Sequence, residues 1–253
     1  ATLFKEKIML KTVYNDGRSK VLSLAFKDLC AQCFMRHSCL AAVVGGNSAP
    51  PSDALNATRR LASGDYLYRA GDNVEAYFYV RTGVIKTFIS GRRGDEDITG
   101  FFYPGEWLGW GSLNAKRLES AISLGQTNTC SVSVTYIRDS QNAAGLLDVL
   151  EKNYAGLTSQ RLSLKPPRAD VRLTRWIIEI EEKLRQIGLD AARIPTPMKR
   201  SELANYLGMT PESLSRALLR LSKTGLIRAN RHSLEIVSPD SMREYVFEQE
   251  ANS

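Results

Sequence analysis

The sequence predicts an α+β chain: a β roll or sandwich in front, a long helix in the middle and a winged helix-turn-helix at the end. Three observations carry this. Short apolar and aromatic runs, broken by glycine roughly every ten positions, extend from Thr58 to Val134. Beyond Ser140 the apolar spacing changes to threes and fours. Beyond Lys199 two short helical patterns meet at a glycine, and the second opens on a strong capping signal.

Residues 1–50 form the first segment, and "CAQCFMRHSC" is its distinctive feature. It holds Cys30, Cys33 and Cys39, three of the four cysteines in the 253-residue chain; the fourth is Cys130. The opening "ATLFKEKIMLKTV" interleaves charges with apolar groups and has neither the apolar core nor the cleavage site of a signal peptide. The apolar stretch Leu40–Val44 is far short of a bilayer span. The expectation is therefore a cytoplasmic protein with no membrane partner, whose clustered thiols serve as metal ligands or redox groups rather than disulfides. C-x2-C lets two thiolates reach one centre, and a further cysteine a short loop away closes a third side. Four thiolates suit tetrahedral zinc or an iron–sulfur cluster, and His37 inside the loop also allows a Cys3His zinc site. Unligated thiols are the plain alternative. A structural zinc site usually pairs two knuckles, whereas Cys130 stands by itself, which points toward a cluster at a domain surface. "GGNSAPPSD" then reads as a linker or exposed loop.

Residues 51–140 carry the β pattern, in "YLYRAG", "AYFYVRTG", "VIKTFISG", "ITGFFYPGEWLGWG" and "CSVSVTYI". Gly71, Gly83, Gly94 and Gly105 fall where a strand must reverse and a positive φ is cheapest.

Residues 141–166 read as one helix. Leu146, Leu150, Tyr154, Leu157, Arg161 and Leu164 form a near-heptad stripe. Such a stripe packs either on the chain's own β domain or on a second copy. Its narrowness, with Lys152, Gln160 and Arg161 leaving the rest polar, favours self-pairing. Leu146, Leu150, Tyr154, Leu157 and Leu164 are the candidate dimerisation residues. Pro166-Pro167 ends the helix and makes a natural hinge.

Residues 167–253 begin with the amphipathic "ADVRLTRWIIEIEEKLRQIG", stopped by Gly188. Lys199 to Leu207 reads as a short helix and Gly208 as the turn. Thr210 then caps a second helix, with Pro211 at its first position and Glu212 in its first turn. Leu214, Leu218 and Leu221 give that helix an inner face, and Glu212, Ser215, Arg216 and Arg220 an outer stripe. "LIRA" and "LEIV" around "NRHS" suggest a β wing. Between Arg193 and Arg231 eight basic residues face only Glu202 and Glu212, a local +6 within a chain of net charge +7. Such a patch suits the phosphates of double-stranded DNA. Arg216 is the candidate reader of guanine, Glu212 of cytosine and Ser215 of a thymine methyl. Arg220, Arg200 and Thr210 complete the candidate DNA-contacting set.

This order of parts resembles the CRP/FNR superfamily of bacterial transcription regulators over about residues 22–240. "FYPGEWLG" and "YFYVRTGVIKTF" look like the signatures of its cyclic-nucleotide-binding-type β roll, and "LANYLGMTPESLSRALLRL" like its recognition region. "ESLSR" is similar to the FNR-type E-x-x-S-R pattern, which implies a TTGAT-type palindromic site. C-x2-C-x5-C plus one roll cysteine is similar to the subgroup carrying an oxygen-labile [4Fe–4S] cluster. The resemblance implies Cys30, Cys33, Cys39 and Cys130 as cluster ligands, a homodimer, RNA polymerase as a further partner, and activation or repression of genes of anaerobic metabolism. It also implies no cyclic nucleotide, because the Arg-Ser/Thr pair that grips the cyclic phosphate is Glu119-Ser120 here, and Arg117 lies two residues out of place. Phe34, Arg36 and His37 in the ligand loop, and Pro166-Pro167 after the helix, depart from the subgroup. A zinc site, a thiol switch or a small-molecule effector in the roll is the alternative. No enzyme is expected: His37 and His232 lie at opposite ends, and neither G-x-S-x-G nor a Walker loop occurs.

Overall fold

A computed structural model describes residues 58–251, apart from 92–93, 114, 140–146, 148–149, 152–153, 157 and 159–167. The three clustered cysteines and the stripe residues Leu146, Leu157 and Leu164 lie outside the described residues.

The front domain is a roll of two facing sheets, each of four strands. One runs in the order β1 (Arg59–Leu61), β10 (Thr127–Ser133), β3 (Ala76–Thr82), β6 (Trp107–Leu108). The other runs β2 (Tyr66–Tyr68), β9 (Ser120–Ser123), β4 (Ile85–Ser90), β5 (Glu96–Phe102). β7 (Ser112–Leu113) and β8 (Lys116–Arg117) form a small ribbon. Side chains alternate across each strand, so Leu67, Ala76, Phe78, Val80, Ile85, Leu108 and Ala121 fill the space between the sheets. The four expected turn glycines take φ of +87°, +84°, +80° and +95° in order. "CSVSVTYI" is not one strand throughout: β10 ends at Ser133, and α1 (Val134–Asp139) follows, its start held by the Ser133 hydroxyl accepting the Tyr136 N–H.

In the stretch expected to be the long helix, residues 147, 150, 151, 154–156 and 158 are helical. Leu150 and Tyr154 of the stripe are 43% and 73% exposed, so the chain's own roll does not cover them.

The rear domain starts with α2 (Ala169–Gln186), whose Leu173, Trp176, Ile177, Ile180 and Leu184 are buried. β11 (Arg193–Pro195) follows, then α3 (Arg200–Tyr206), α4 (Pro211–Lys223), β12 (Ile227–Ala229) and β13 (Ser233–Ile236). The wing is a three-stranded sheet in the order β11-β13-β12, one strand more than the two legible in the sequence. α5 (Pro239–Ala251) closes the domain by packing on α2.

The two domains share a core. Val84, Phe101 and Tyr103 project from the outer face of the β4–β5 sheet into the cluster built by α2, α3, α4 and the wing. The Phe101 and Tyr206 rings meet edge to face at 5.3 Å. Three polar links reinforce this: Lys86 Nζ to Glu202 Oε1 at 2.9 Å, the Ile98 N–H to Asn205 Oδ1 at 2.8 Å, and the Tyr103 hydroxyl to the Pro195 carbonyl at 2.9 Å. Lys183 of α2 adds ion pairs to Glu106 of the roll at 2.8 Å and to Glu179 at 2.6 Å. Burial would drive the Lys86 ammonium down, but Glu96 and Glu202 on either side outweigh it and hold it above the usual lysine range.

Candidate nucleic-acid interface and thiol face

The DNA-facing candidate is assembled by local chemistry on α4. The Thr210 hydroxyl accepts the Ser213 N–H at 3.2 Å, Pro211 occupies the first helical position, and Leu214, Ala217, Leu218 and Leu221 turn inward. That leaves Glu212, Ser215, Arg216 and Arg220 exposed on the opposite face, as expected. Hydrogen bonds from its own backbone N–H and from Thr210, with help from Arg216, hold the Glu212 carboxyl below the usual range. The Ser215 hydroxyl donates to the Pro211 carbonyl at 2.9 Å, and Arg216 Nη2 reaches Ser213 Oγ at 3.4 Å.

The helix turn is fixed from beneath. Gly208 takes φ +61°, and its carbonyl accepts from Arg172 Nη1 of α2 at 3.1 Å. Arg200, at the start of α3, donates to the Asn230 carbonyl of the wing at 3.2 Å and is half-buried, which lowers its pKa. It therefore braces the wing. Arg231 and His232 are exposed at the wing tip.

Arg220 has a partner that no local pattern reveals. Its Nη1 lies 3.1 Å from Oδ2 of Asp170, in the first turn of α2. The same carboxylate accepts from Arg168 Nε at 3.2 Å, Arg168 Nη2 at 2.8 Å and the Tyr245 hydroxyl at 2.8 Å. Burial would raise the Asp170 pKa, but the hydrogen bonds of Arg168 and Tyr245 and the charges of Arg168 and Arg220 bring it down to about 2.

Cys130 is half-buried on β10, directly opposite Tyr79 of β3. Paired residues share a face, so the thiol stands on the outer side of this sheet with Tyr79, whose ring meets Trp107 at 4.8 Å. Val132 pairs with Tyr77 on the same face, and Tyr77 stacks on Trp110 at 4.2 Å. A thiol turned outward on an aromatic face fits a fourth ligand approached from outside the roll, where one pointing between the sheets would not. Among the described residues no group of three or more His, Cys, Asp or Glu is placed to hold a metal ion.

Half-buried Glu119 accepts from the Tyr68 hydroxyl at 3.5 Å and from the hydroxyl of exposed Thr99. Ser120 Oγ accepts the Ala70 N–H at 3.0 Å. Arg117 is 4% exposed, lies over the Tyr68 and Phe78 rings, and donates to the carbonyls of Gly109 and Ala76. Burial, then the Glu119 charge, push the Tyr68 phenol up, so it remains a donor.

A β roll leading through a helix to a winged helix-turn-helix defines a class of effector-gated DNA-binding proteins. Residues 58–140 match the cyclic nucleotide-binding domain, and residues 171–245 the Crp-like helix-turn-helix domain. The transcriptional regulatory protein btr of Bordetella pertussis is 26% identical over 227 residues, 86% of this chain and 93% of that protein. The fumarate and nitrate reduction regulatory protein of Salmonella typhimurium is 24% identical, over 84% of this chain and 88% of that protein. The solved structure of FixK2 from Bradyrhizobium japonicum shares the fold, with a TM-score of 0.60 at 21% identity, over 74% of this chain and 96% of that chain. The chain belongs to the CRP/FNR family of DNA-binding transcription regulators, on its FNR side. Among the described residues no helix is long and apolar enough to cross a membrane.

Proposed function

We propose that this regulator senses oxygen through a [4Fe–4S] cluster held by Cys30, Cys33, Cys39 and Cys130, and binds TTGAT-type palindromes as a homodimer in the cytoplasm. It would act with RNA polymerase on genes of anaerobic metabolism. The observation that carries the reading is the place of Cys130: an outward thiol on β10, in the chain that also bears the Glu212–Ser215–Arg216 stripe. When bound, the group supplies an oxygen-labile iron–sulfur core. The chain's own part is to present Cys130 on the face of Tyr79 and Trp107, a few residues before α1 leads toward the exposed Leu150 and Tyr154. Those apolar side chains support a second copy as the surface that covers them. Two recognition helices would then sit about one DNA turn apart.

The roll interior supports a reading without cyclic nucleotide. Glu119 occupies a clamp position with a carboxylate, which repels a phosphate, and two of the Arg117 guanidinium nitrogens already donate to backbone carbonyls. The test is anaerobic purification and reconstitution, read by visible absorbance with iron and sulfide analysis. A brown protein with four irons per chain, about one oxygen-labile cluster, is expected. A colourless, iron-free protein, or one holding only zinc, overturns the sensor half and leaves the DNA half to be judged on duplex binding.

A further inference from the structure

We propose that Asp170 is a positioning residue for DNA recognition, holding Arg220 on the recognition helix so that its charge is withheld from the phosphate backbone. The inference rests on α4 being the DNA-reading helix. Arg220 belongs to the exposed stripe of α4, and its side chain is 56% exposed, so a cation there would ordinarily take a phosphate oxygen. Its Nη1 is instead drawn back 3.1 Å to Asp170 Oδ2. Asp170 is not a surface acid that a phosphate could easily displace: its side chain is 4% exposed.

The carboxylate is also fixed from three other directions. Arg168 grips both oxygens with Nε at 3.2 Å and Nη2 at 2.8 Å, the Tyr245 hydroxyl of α5 donates at 2.8 Å, and the Val171 N–H donates at 3.1 Å. A guanidinium is a rigid planar fork, so anchoring one nitrogen constrains where the others point. Arg216, four residues earlier, has no such tether among the described residues, where it reaches Ser213 Oγ at 3.4 Å. One arginine of the stripe is left for base edges, and the other is restrained by a carboxylate 50 positions away. The consequence is selectivity: sequence-independent affinity grows with every phosphate neutralised, and Asp170 removes one neutralising cation from that sum.

The experiment measures binding to a scrambled duplex and to a TTGAT palindrome by fluorescence anisotropy across a salt series, with the full chain. In Asp170→Asn the slope of log K against log salt on the scrambled duplex is expected to steepen by about 0.9, with roughly fivefold tighter binding near ~0.1 M salt and a smaller ratio of specific to non-specific affinity. Asp170→Glu should restore the original slope. In an Arg220→Ala background, Asp170→Asn should change nothing. Arg220→Lys, at an exposed site that does not threaten folding, keeps the charge but loses the fork, and should steepen the slope in the same direction.

A lowered melting temperature with an unchanged slope would make Asp170 purely structural and overturn the proposal. So would a slope change that survives in Arg220→Ala, or an Arg220→Lys slope no steeper than the original. If the unaltered chain binds neither duplex, the DNA reading of α4 fails first, and with it this inference.

Discussion

Lys86, near the start of β4 in the β roll, lies 2.9 Å from Glu202, in the first turn of the first helix of the helix-turn-helix. The other oxygen of Glu202 accepts the Lys199 N–H at 2.7 Å, satisfying one of the orphan donors at the start of α3. One carboxylate therefore starts the helix and holds the rear domain against the β roll. Lys86→Met keeps the apolar stem and removes the charge. Breaking a fully buried pair costs about 3–5 kcal/mol, and the partial exposure of Glu202 and Glu96 reduces this to about 2 kcal/mol. Scanning calorimetry is expected to resolve one unfolding transition into two, the roll and the rear domain melting separately.

The Tyr103 hydroxyl makes the second test of docking, because it bonds the Pro195 carbonyl across the domain boundary from a fully buried ring. Tyr103→Phe removes only the oxygen. The cost should be about 1 kcal/mol, seen as a shift of the urea midpoint with the slope of the transition unchanged.

Acid should loosen the rear domain through Asp170. Its folded pKa of about 2 lies below the ordinary 3.8, so its contribution is complete above about pH 4 and is lost as pH falls toward 2. A drop of that size corresponds to roughly 2 kcal/mol. Urea unfolding at pH 5 and pH 3 should show about half of that loss, ~1 kcal/mol, in the unaltered chain, and a smaller one in Asp170→Asn.

Gly109 tests the roll interior. It has φ +94°, and a Cβ there would meet Arg117 Nη1 at 2.5 Å, within the group that donates to the Gly109 carbonyl. Gly109→Ala adds left-handed strain to displacement of a buried cation. Destabilisation of about 2–4 kcal/mol is expected in thermal melts.

Arg216→Ala should cost about 1–3 kcal/mol on a TTGAT duplex and relax preference at one base pair of each half-site. Binding measured against single-base variants of the duplex checks this; an unchanged profile would remove Arg216 from the reading set.

The features legible in the sequence are those whose causes sit within a few residues. Thr210, Pro211 and Glu212 announce the start of α4 because a cap, a fixed φ and a first-turn carboxylate act over one helical turn. Gly188 and Gly208 mark ends for the same reason. α1 was hidden inside a β-like run, since Val134 and Ile137 suit a strand as well as a helix that is packed from outside. α5 gave little periodic signal, and only Met242 on it is fully buried.

By itself the sequence determined the order of the parts, the turns, and which face of α4 is polar, because periodicity and capping are short-range consequences of backbone geometry. Only the tertiary structure decided that Lys86 is buried, that Cys130 shares a face with Tyr79, and that Arg220 answers to Asp170. Each of these depends on where two distant segments meet, and strand register and helix packing choose that meeting by burying apolar area, a sum over the whole chain that no local pattern contains.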